Sequence, residues 1–353
     1  MAPKDAYTRA GVDYELLDEF KRVARLVAKR THGYRRERPE QVSWSSVGLV
    51  TEAVGTKGII TETLYRETKV RRHHLIAQDA VAAIVNDIVA QGSDPHELTM
   101  LLLAGSSAWF DDTLRWRNLV CGWDIACYRA QCVWTAGETA VWPGVVTSKN
   151  FVLAGTGVGL RPPSRNRLGE EKIQPGDVLV YLGAEGIQTN GATLVRKICD
   201  KLKDGYLTML PDGTMLGETL LKPAPLFTSL LPAWDEAGID LHYLAPITGH
   251  GWTKILRPNR ALHYLIHTLP QEQVLMQCLA EWGKLSSYQL YKTFAMGAGL
   301  MAYIAAEDVD RAVASAAAAG YQVGICGVVL EGAQPSRLRI DPLDLDYIRE
   351  RAV

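Results

Sequence analysis

Cysteine is scarce in this chain and follows no metal-binding pattern. Only six cysteines occur in 353 residues. Cys121, Cys127 and Cys132 lie near one another in the sequence but lack the CxxC spacing of a zinc site. We therefore expect these three residues to be small, buried apolar side chains in the reduced state, and not metal ligands or parts of a disulfide framework.

Long apolar runs and an excess of charge of either sign are also absent. No run of about 18 apolar residues is present to span a membrane, and residues 1–18 lack the apolar core of a secretion signal. The 38 basic residues are balanced by 39 acidic ones, a net charge of −1. A balanced surface does not favour nucleic acid or membrane. We expect a cytoplasmic protein with no nucleic-acid partner and no membrane partner.

The apolar residues that are present, 47% of the chain, are enough for large cores. Their spacing predicts helices and strands that alternate irregularly, with strands often consecutive, which favours an α+β fold over a doubly wound sheet. The predicted helices are Tyr14–Lys29, Ala77–Gln91, Asp111–Cys127, Ala192–Leu202, Ala305–Gly320 and one that begins at Trp252. The predicted strands are Val47–Val54, Leu98–Ala104, Phe151–Leu160, Val178–Leu182 and Tyr321–Leu330.

A polar connector divides the chain. Residues 161–175 have no apolar periodicity and end in the turn signal Pro175-Gly176-Asp177. A chain of this length is also long enough for two domains. We predict two domains, one over residues 1–165 and one over residues 170–353.

Three glycine-bearing segments in the first half lie beside strand-like runs. They are Ala53-Val54-Gly55-Thr56-Lys57, Ala136-Gly137-Glu138-Thr139-Ala140 and Leu153-Ala154-Gly155-Thr156-Gly157-Val158-Gly159. Glycine allows a ligand to approach the backbone closely. The acids Glu52, Asp87 and Glu138 lie in or near such segments, and carboxylates in that setting indicate Mg²⁺ and phosphate.

Two loops of the second half have a related pattern. The loop 183–191 joins a strand to a helix, a geometry that can hold an anion at the helix N-terminus. Residues 247–251, Ile-Thr-Gly-His-Gly, again precede a predicted helix. These loops are the candidate substrate site.

Taken in order, these motifs resemble the aminoimidazole ribonucleotide synthetase family, which belongs to a wider ATP-binding superfamily. The resemblance covers nearly the whole chain, from Tyr7–Asp13 to Ile325-Cys326-Gly327. It includes Val54-Gly55-Thr56-Lys57, Val85–Gly92, Gly137-Glu138-Thr139-Ala140, Leu153-Ala154-Gly155, Thr189-Asn190-Gly191, Leu216–Pro223, Ile247-Thr248-Gly249 and Tyr291–Phe294.

The resemblance implies a two-domain homodimer. Residues 1–165 would bind ATP and Mg²⁺ and dimerise, with the N-terminal sheets forming a barrel across the dimer axis. Residues 170–353 would form an α/β sandwich-type domain that binds substrate and phosphate. The resemblance also implies ATP and Mg²⁺ as cofactors and a small amide or formamidine substrate. The implied reaction transfers the γ-phosphate to an amide oxygen, after which a nitrogen of the same substrate displaces phosphate and closes a ring.

The resemblance assigns roles to individual residues. The predicted cofactor-binding residues are Glu52, Gly55, Thr56, Lys57, Asn86, Asp87, Gly137, Glu138 and Thr139. Glu52, Asp87 and Glu138 are the predicted metal ligands. The predicted substrate-binding residues are Gln188, Thr189, Asn190, Gly191, Thr248, Gly249 and Gly251. Lys57, Asp87 and His250 are the predicted catalytic residues.

The chain departs from the family pattern at reacting positions. Glu52-Ala53 replaces Asp-Gly, and residues 33–39, which correspond to a glycine-rich lid, contain one glycine. Gln188 and Pro246 each replace a histidine, and neither can transfer a proton near neutral pH. Ala295–Gly299 replaces Asn-Cys-Gly-Val-Gly. His250 is a candidate replacement for the lost acid–base group.

These departures favour a diverged paralogue that keeps the nucleotide chemistry on a changed substrate. The leading hypothesis is an ATP-dependent cyclo-ligase. Two alternatives stay open: a kinase-like phosphotransferase of the same superfamily, or a non-catalytic nucleotide-binding protein, which the missing lid glycines favour.

Overall fold

The computed structural model describes residues 47–349. The predicted helix Tyr14–Lys29, the motif Tyr7–Asp13 and the lid segment 33–39 lie outside the described residues. No helix within the described range is long and apolar enough to cross a membrane.

The first half of the described chain, up to residue 160, contains one sheet and its helices. Its strands are β1 Val47–Ala53, β2 Asp94–Ala104, β3 Val133–Val141 and β4 Phe151–Leu160. Its helices are α1 Lys57–Thr68, α2 His73–Ala90 and α3 Thr113–Ala130, with a 3-10 turn at Ser107–Asp111.

The second half contains a larger sheet. Its strands are β5 Val178–Gly183, β6 Leu241–Pro246, β7 Leu262–Ile266, β8 Ala298–Ile304, β9 Val323–Glu331, β10 Arg337–Ile340 and β11 Leu345–Ile348. Its helices are α4 Ala192–Cys199, α5 Leu216–Leu220, α6 Leu230–Glu236, α7 Val274–Gly283, α8 Ser287–Thr293 and α9 Val309–Ala318. Its 3-10 turns are Glu170–Lys172, Gly205–Leu207, Gly251–Leu256, Ala306–Asp308 and Asp341–Leu343.

The first sheet has the order β1-β4-β2-β3, in which β2 and β3 are parallel and the other pairs antiparallel. Helix α2 packs on one face and α3 packs on α2, around a fully buried Trp123. Leu49 and Val133 on the two edge strands are exposed. One face of this sheet therefore has no helix over it in the described chain.

The alternate glycines of β4 are packing residues, which corrects the prediction that this segment receives a ligand. A Cβ on Gly157 would lie 2.5 Å from Cγ2 of Ile84, and one on Gly159 would lie 2.2 Å from Cγ2 of Ile88. Both isoleucines belong to α2 and are fully buried. The glycines let the helix approach the strand closely, so their backbone has an apolar neighbour already.

The second sheet has seven strands in the order β11-β10-β7-β9-β5-β8-β6. Its neighbouring strands are antiparallel except for β7 and β10. Trp234 of α6 and Ala312 of α9 belong to the core on one face, whereas Leu279 of α7 and Leu290 of α8 belong to the core on the other. Because both faces of the sheet are covered, every residue of β8 is buried, and β8 lacks the alternation of buried and exposed residues of a strand with one solvent-facing side.

The mixed α+β architecture agrees with the sequence analysis, and most predicted elements are present with shifted ends. Helix α1 was not predicted, and the helix expected at Trp252 is only the 3-10 turn Gly251–Leu256. Cys121 is exposed, so the prediction of its burial was wrong, whereas Cys127 and Cys132 are buried as expected. The change from one sheet to the other falls between Leu160 and Val178. The division at residues 165 and 170 stays a prediction.

Arg165, within the connector, links the two halves. Its guanidinium lies 2.8 Å from Oδ1 of Asp94, at the start of β2, and 2.6 Å from Oδ2 of Asp235 in α6. It also donates to the carbonyl oxygen of Gly92. Because the arginine is nearly buried and contacts both halves, it holds α6 against the end of α2.

Candidate functional site

The loop before α1 reaches the second half of the chain. Gly55 has a left-handed φ of 54° and leads to Thr56. The hydroxyl of Thr56 is hydrogen bonded to that of Thr193, in the first turn of α4, at 2.9 Å. The predicted nucleotide-binding loop therefore adjoins the helix that follows the predicted substrate loop.

Lys57, the first residue of α1, is fully buried and its partner is a carboxylate of its own half. Nζ lies 2.7 Å from Oδ2 of Asp79 in α2, and both side chains have 0% exposure. Burial raises the pKa of Asp79, and the charge of Lys57 opposes that shift. The contact between Lys57 and Asp79 was not predicted, and a contact between Lys57 and phosphate stays a prediction.

The same region of α2 fixes a segment of the second half, residues 222–227. Lys57 Nζ donates to the carbonyl oxygen of Lys222 at 3.3 Å, and Oδ1 of Asp79 accepts from the amide of Ala224 at 2.8 Å. Asn86 donates to the carbonyl oxygen of Pro225 and accepts from the amide of Phe227, both at 2.9 Å. Asn86, predicted to bind the cofactor, thus satisfies two backbone groups of another segment.

The two second-half loops predicted to bind substrate touch each other. Nδ2 of Asn190 donates to the carbonyl oxygen of Ile247 at 3.3 Å, and both Gln188 and Asn190 are buried. Thr189, Thr248, Gly249 and His250 are half-buried at the same junction. Residues separated by about sixty positions along the chain therefore lie side by side.

Two glycines in these loops are required by close packing. Gly191 has a φ of 69° and a Cβ there would lie 2.2 Å from the Phe294 ring. Gly251 has a φ of 52°, and a Cβ there would lie 2.3 Å from the carbonyl oxygen of Tyr291. Both glycines therefore have a structural reason that is independent of any ligand.

Helix α2, which carries Asp87, packs against β6, the strand that leads into the second of these loops. Burial raises the pKa of the Asp87 carboxyl, and the positive charges of Lys254 and Arg257 oppose that shift from across the boundary between the halves. Lys254 itself is 7% exposed, and its Nζ donates to Oγ1 of Thr248 at 2.7 Å. Charges of the second half therefore act on this first-half acid.

The other two predicted metal ligands lie elsewhere. Glu52 of β1 pairs with Gly155 of β4, which pairs with Met100 of β2, which in turn pairs with Gly137 of β3. Glu138 is the next residue of β3 and pairs with Leu101. Successive residues of a strand point to opposite faces, so the side chains of Glu52 and Glu138 leave opposite faces of the sheet. They stand on opposite edge strands, three strand spacings or about 14 Å apart.

One chain thus does not assemble the predicted magnesium site. Over residues 47–349, no group of three or more His, Cys, Asp or Glu side chains is placed to hold a metal ion. Glu52 and Glu138 do not meet within one chain and cannot share one ion there, and the assignment of Glu52, Asp87 and Glu138 as metal ligands stays a prediction. Gly137, Glu138 and Thr139 are all exposed on the edge strand β3.

Two important side chains were not recognised in the sequence. Asp79 lies inside the predicted apolar helix Ala77–Gln91. An acid buried in such a helix requires a cation as its partner, so its position in the sequence was a usable signal. Lys254 interrupts the apolar run after Gly251, which was a weaker one. Neither signal identifies the residue that the side chain interacts with. Lys57 is separated from Asp79 by the whole of α1, and Asp87 is far from Lys254 in the sequence.

Comparison with known proteins assigns the chain to a family. A family model described as "AIR synthase related protein, N-terminal domain" matches residues 49–161. The phosphoribosylformylglycinamidine cyclo-ligase of Shouchella clausii is 32% identical over 340 residues, which cover 92% of this chain and 96% of that protein. The chain belongs to this cyclo-ligase family. The family's Streptococcus pneumoniae enzyme is 30% identical over 337 residues, with the same coverage of both chains.

Solved structures of more distant relatives share the fold of this cyclo-ligase family member. HypE of E. coli, a hydrogenase maturation protein, superposes with a TM-score of 0.61 at 15% identity, over 90% of this chain and 91% of that one. Thiamine-monophosphate kinase from Stenotrophomonas maltophilia K279a has a TM-score of 0.58 at 17% identity, over 87% of this chain and 88% of that one. At these identities the likeness concerns the fold alone.

Proposed function

We propose that this protein is an ATP-dependent amide-activating enzyme, a cyclo-ligase that acts on a substrate other than the purine precursor of its relatives. The observation that carries the proposal is the meeting of the two halves. The Thr56 hydroxyl is hydrogen bonded to Thr193 of α4, and α2, which carries Asp87, packs against β6, the strand before Thr248. Family membership supplies the reaction class, since the relatives are named phosphoribosylformylglycinamidine cyclo-ligase.

The proposed reaction has two steps. An amide oxygen of the substrate attacks the γ-phosphorus of ATP, a P–O bond forms, and ADP leaves. A nitrogen of the same substrate then attacks the activated carbon, and the C–O bond breaks with release of inorganic phosphate. The nitrogen loses a proton, and a ring with a new C–N bond results. The net change in the substrate is the loss of one water.

ATP is the proposed cofactor, and a HypE structure in complex with ATP shares the fold with a TM-score of 0.59. Magnesium enters the proposal as the ion that accompanies the phosphates of ATP. The proposed steps use no protein-held ion, because Glu52 and Glu138 leave opposite faces of the sheet within one chain. The chain's own groups near the meeting of the two halves are the Thr248 hydroxyl, the Lys254 ammonium and the Asp87 carboxylate.

The change of substrate follows from the side chains at the two positions where the family resemblance implies histidine. Gln188 is 5% exposed, and its amide nitrogen has no hydrogen-bond partner among residues 47–349. Pro246 ends β6 and pairs with Leu300 of β8. Neither residue can act as a general acid or base. His250, half-buried in the following turn, is the proposed proton-transfer group.

A homodimer is also part of the proposal. Among the described residues, no helix covers one face of the first sheet, and the sheet ends in two edge strands. Joining two such sheets into a barrel would cover that face and remove the edges. This arrangement would bring a partner's β3, with its exposed Glu138, to the neighbouring subunit.

The test is an assay with ATP and a panel of small amides and formamidines that includes the purine precursor of the relatives. Free phosphate and product mass are followed together. We expect phosphate release that depends on one class of amide, a product lighter by one water, and weak ring closure on the purine precursor. A product that retains phosphate would instead establish a kinase-type reaction. Binding of ATP without turnover on any substrate would leave a nucleotide-binding protein.

A further inference from the structure

The end of helix α3 is a turn that brings two cysteines together. Helix α3 ends at Ala130, and Gln131 follows with a left-handed φ of 54°. The amide of Cys132 donates to the carbonyl oxygen of Cys127, and the amide of Gln131 donates to that of Tyr128, both at 3.1 Å. These two hydrogen bonds define a Schellman motif, in which the side chains before and after the turn commonly meet. In this chain both of those side chains are cysteines.

The two thiols are in contact in the reduced protein. Sγ of Cys132 lies 3.7 Å from the carbonyl oxygen of Cys127, to which it donates. A hydrogen bond between the two thiols raises the pKa of Cys127 and lowers the pKa of Cys132. Burial and the charge of Asp124 also raise the pKa of Cys127. Cys132 is therefore the member of the pair that becomes the thiolate, the form of cysteine that reacts with oxidants.

The other three buried cysteines are poor candidates for oxidation. Burial raises the pKa of Cys199 to about 12, and it also raises the pKa of Cys278 and of Cys326. A buried thiol with a raised pKa reacts slowly, because little of it is thiolate. Cys132, at 9% exposure, is also more open to solvent than Cys127, at 4%. Exposure and ionisation therefore both assign the first reaction step to Cys132.

We propose that Cys127 and Cys132 form a modification site, at which a hydroperoxide converts the two thiols into an intramolecular disulfide. The thiolate of Cys132 attacks one oxygen of the hydroperoxide. An S–O bond forms, the O–O bond breaks, and the other oxygen leaves and takes up the proton that Cys132 released. The Cys127 sulfur then attacks the sulfenic sulfur of Cys132, the S–S bond forms, the S–O bond breaks, and water leaves with the proton of the Cys127 thiol. With hydrogen peroxide, two thiols are oxidised and two molecules of water result.

The bond would tie the end of α3 to the start of β3. Cys132 immediately precedes Val133, the first residue of β3, and only Gln131 and Cys132 separate that strand from α3. The Schellman hydrogen bonds already hold the two cysteines beside each other, so closing the disulfide requires a local adjustment of this one turn. Neither cysteine belongs to the predicted nucleotide or substrate site, so the inference is independent of the proposed reaction.

The experiment treats the reduced wild type with hydrogen peroxide, blocks the remaining thiols with N-ethylmaleimide, and analyses tryptic peptides by mass spectrometry. Trypsin cleaves after Arg129, between the two cysteines, so Cys127 lies in peptide 118–129 and Cys132 lies in peptide 130–149. We expect the two peptides to be joined, with a mass two hydrogens below their sum, and to separate after dithiothreitol. Oxidised wild type in which no such linked peptide forms would overturn the proposal.

Cys121, the exposed cysteine of α3, lies in the same peptide as Cys127, so variants are needed to identify the residue that pairs with Cys132. Cys121→Ser is the matched control and should form the linked peptide at the wild-type rate. Cys127→Ser should form none, and its Cys132 should accumulate sulfenic acid, which dimedone traps. Loss of the linked peptide in Cys121→Ser, or its persistence in Cys127→Ser, would show that a different cysteine pairs with Cys132 and would overturn the proposal.

The order of the two steps is tested with Cys132→Ser. In this variant peroxide should consume the Cys127 thiol about 10-fold more slowly than in the wild type, because Cys127 is the thiol with the raised pKa. An equal rate would overturn the assignment of Cys132 as the first thiol to react. Circular dichroism and thermal unfolding verify that each variant is folded, and Cys127→Ala takes the place of Cys127→Ser if the buried hydroxyl prevents folding.

Discussion

The ammonium of Lys57 and the carboxylate of Asp79 form an ion pair of 2.7 Å with no exposure to solvent on either side. Removing one member leaves a buried charge without compensation. Lys57→Met should therefore lower the free energy of unfolding in urea by about 3–5 kcal/mol. Lys149→Met, at an exposed site, should change it by less than about 0.5 kcal/mol.

The double variant Lys57→Met/Asp79→Leu separates the pair from the catalytic prediction. It should be more stable than Lys57→Met, since no buried charge remains without a partner. If the double variant folds well and still turns over ATP, Lys57 does not act on phosphate. A double variant less stable than Lys57→Met would contradict the assignment of the cost to an unpaired charge.

A second pair of contacts predicts a pH dependence of stability. Nδ1 of His242 lies 2.8 Å from Oδ2 of Asp177, and Nε2 lies 3.2 Å from Oδ2 of Asp240. The hydrogen bond with Asp177 raises the pKa of His242. The imidazolium therefore stabilises the folded chain fully below the unfolded value of about pH 6.5, and this contribution is lost as pH rises through the folded pKa.

The measurement compares the free energy of unfolding of the wild type and His242→Gln between about pH 5.5 and pH 9. The difference should be largest at the acidic end and shrink towards the alkaline end. His267→Gln, at an exposed histidine, should show no such trend. A difference that stays constant over the range would show that His242 contributes through packing alone.

The uncovered face of the first sheet predicts a dimer that one substitution can break. Leu49 is 65% exposed on β1 and lies in one row with Val158 and Glu97 across the sheet. The wild type should have the mass of a dimer by light scattering at micromolar concentration, and Leu49→Glu should shift it to monomer. Ile348→Glu, at a 52% exposed position of the second sheet, should leave the mass unchanged. A monomeric wild type would contradict the barrel arrangement.

Glu138 lies on the exposed edge strand β3 and Asp87 lies on α2, and a joint role of the two in a site shared across a dimer predicts complementation between subunits. Asp87→Asn and Glu138→Gln should each reduce ATP turnover by about 100-fold. If Glu138 serves the partner's site, an equal mixture refolded together should recover about a quarter of the wild-type turnover, because half of random dimers hold one intact site. If the mixture recovers no turnover, the two residues do not act together across the dimer. Full activity of Glu138→Gln alone would show that Glu138 has no role in the reaction.

Local patterns in the sequence predicted the strands well. β4, Phe151–Leu160, has the predicted ends, and the α+β class follows from the order of elements. The family was recognised because motifs such as Val54-Gly55-Thr56-Lys57 and Thr189-Asn190-Gly191 occur in order. These properties are local or sequential, and they do not require knowledge of which residues meet.

The amino-acid sequence by itself therefore determined the family and the alternation of helix and strand, whereas the substrate-binding role of the two second-half loops stays a prediction. Tertiary structure alone decided what each polar side chain contacts. Asp79 bonds to the amide of Ala224 across 145 positions, and Thr56 contacts Thr193 across 137. The sequence predicted that the glycines of β4 approach a ligand, but they pack against the isoleucines of α2. Glu52 and Glu138, two of the three predicted metal ligands, leave opposite faces of the first sheet. The physical reason is that backbone propensity acts over a few residues, whereas burial, charge pairing and ligand geometry depend on segments that only the folded chain brings together.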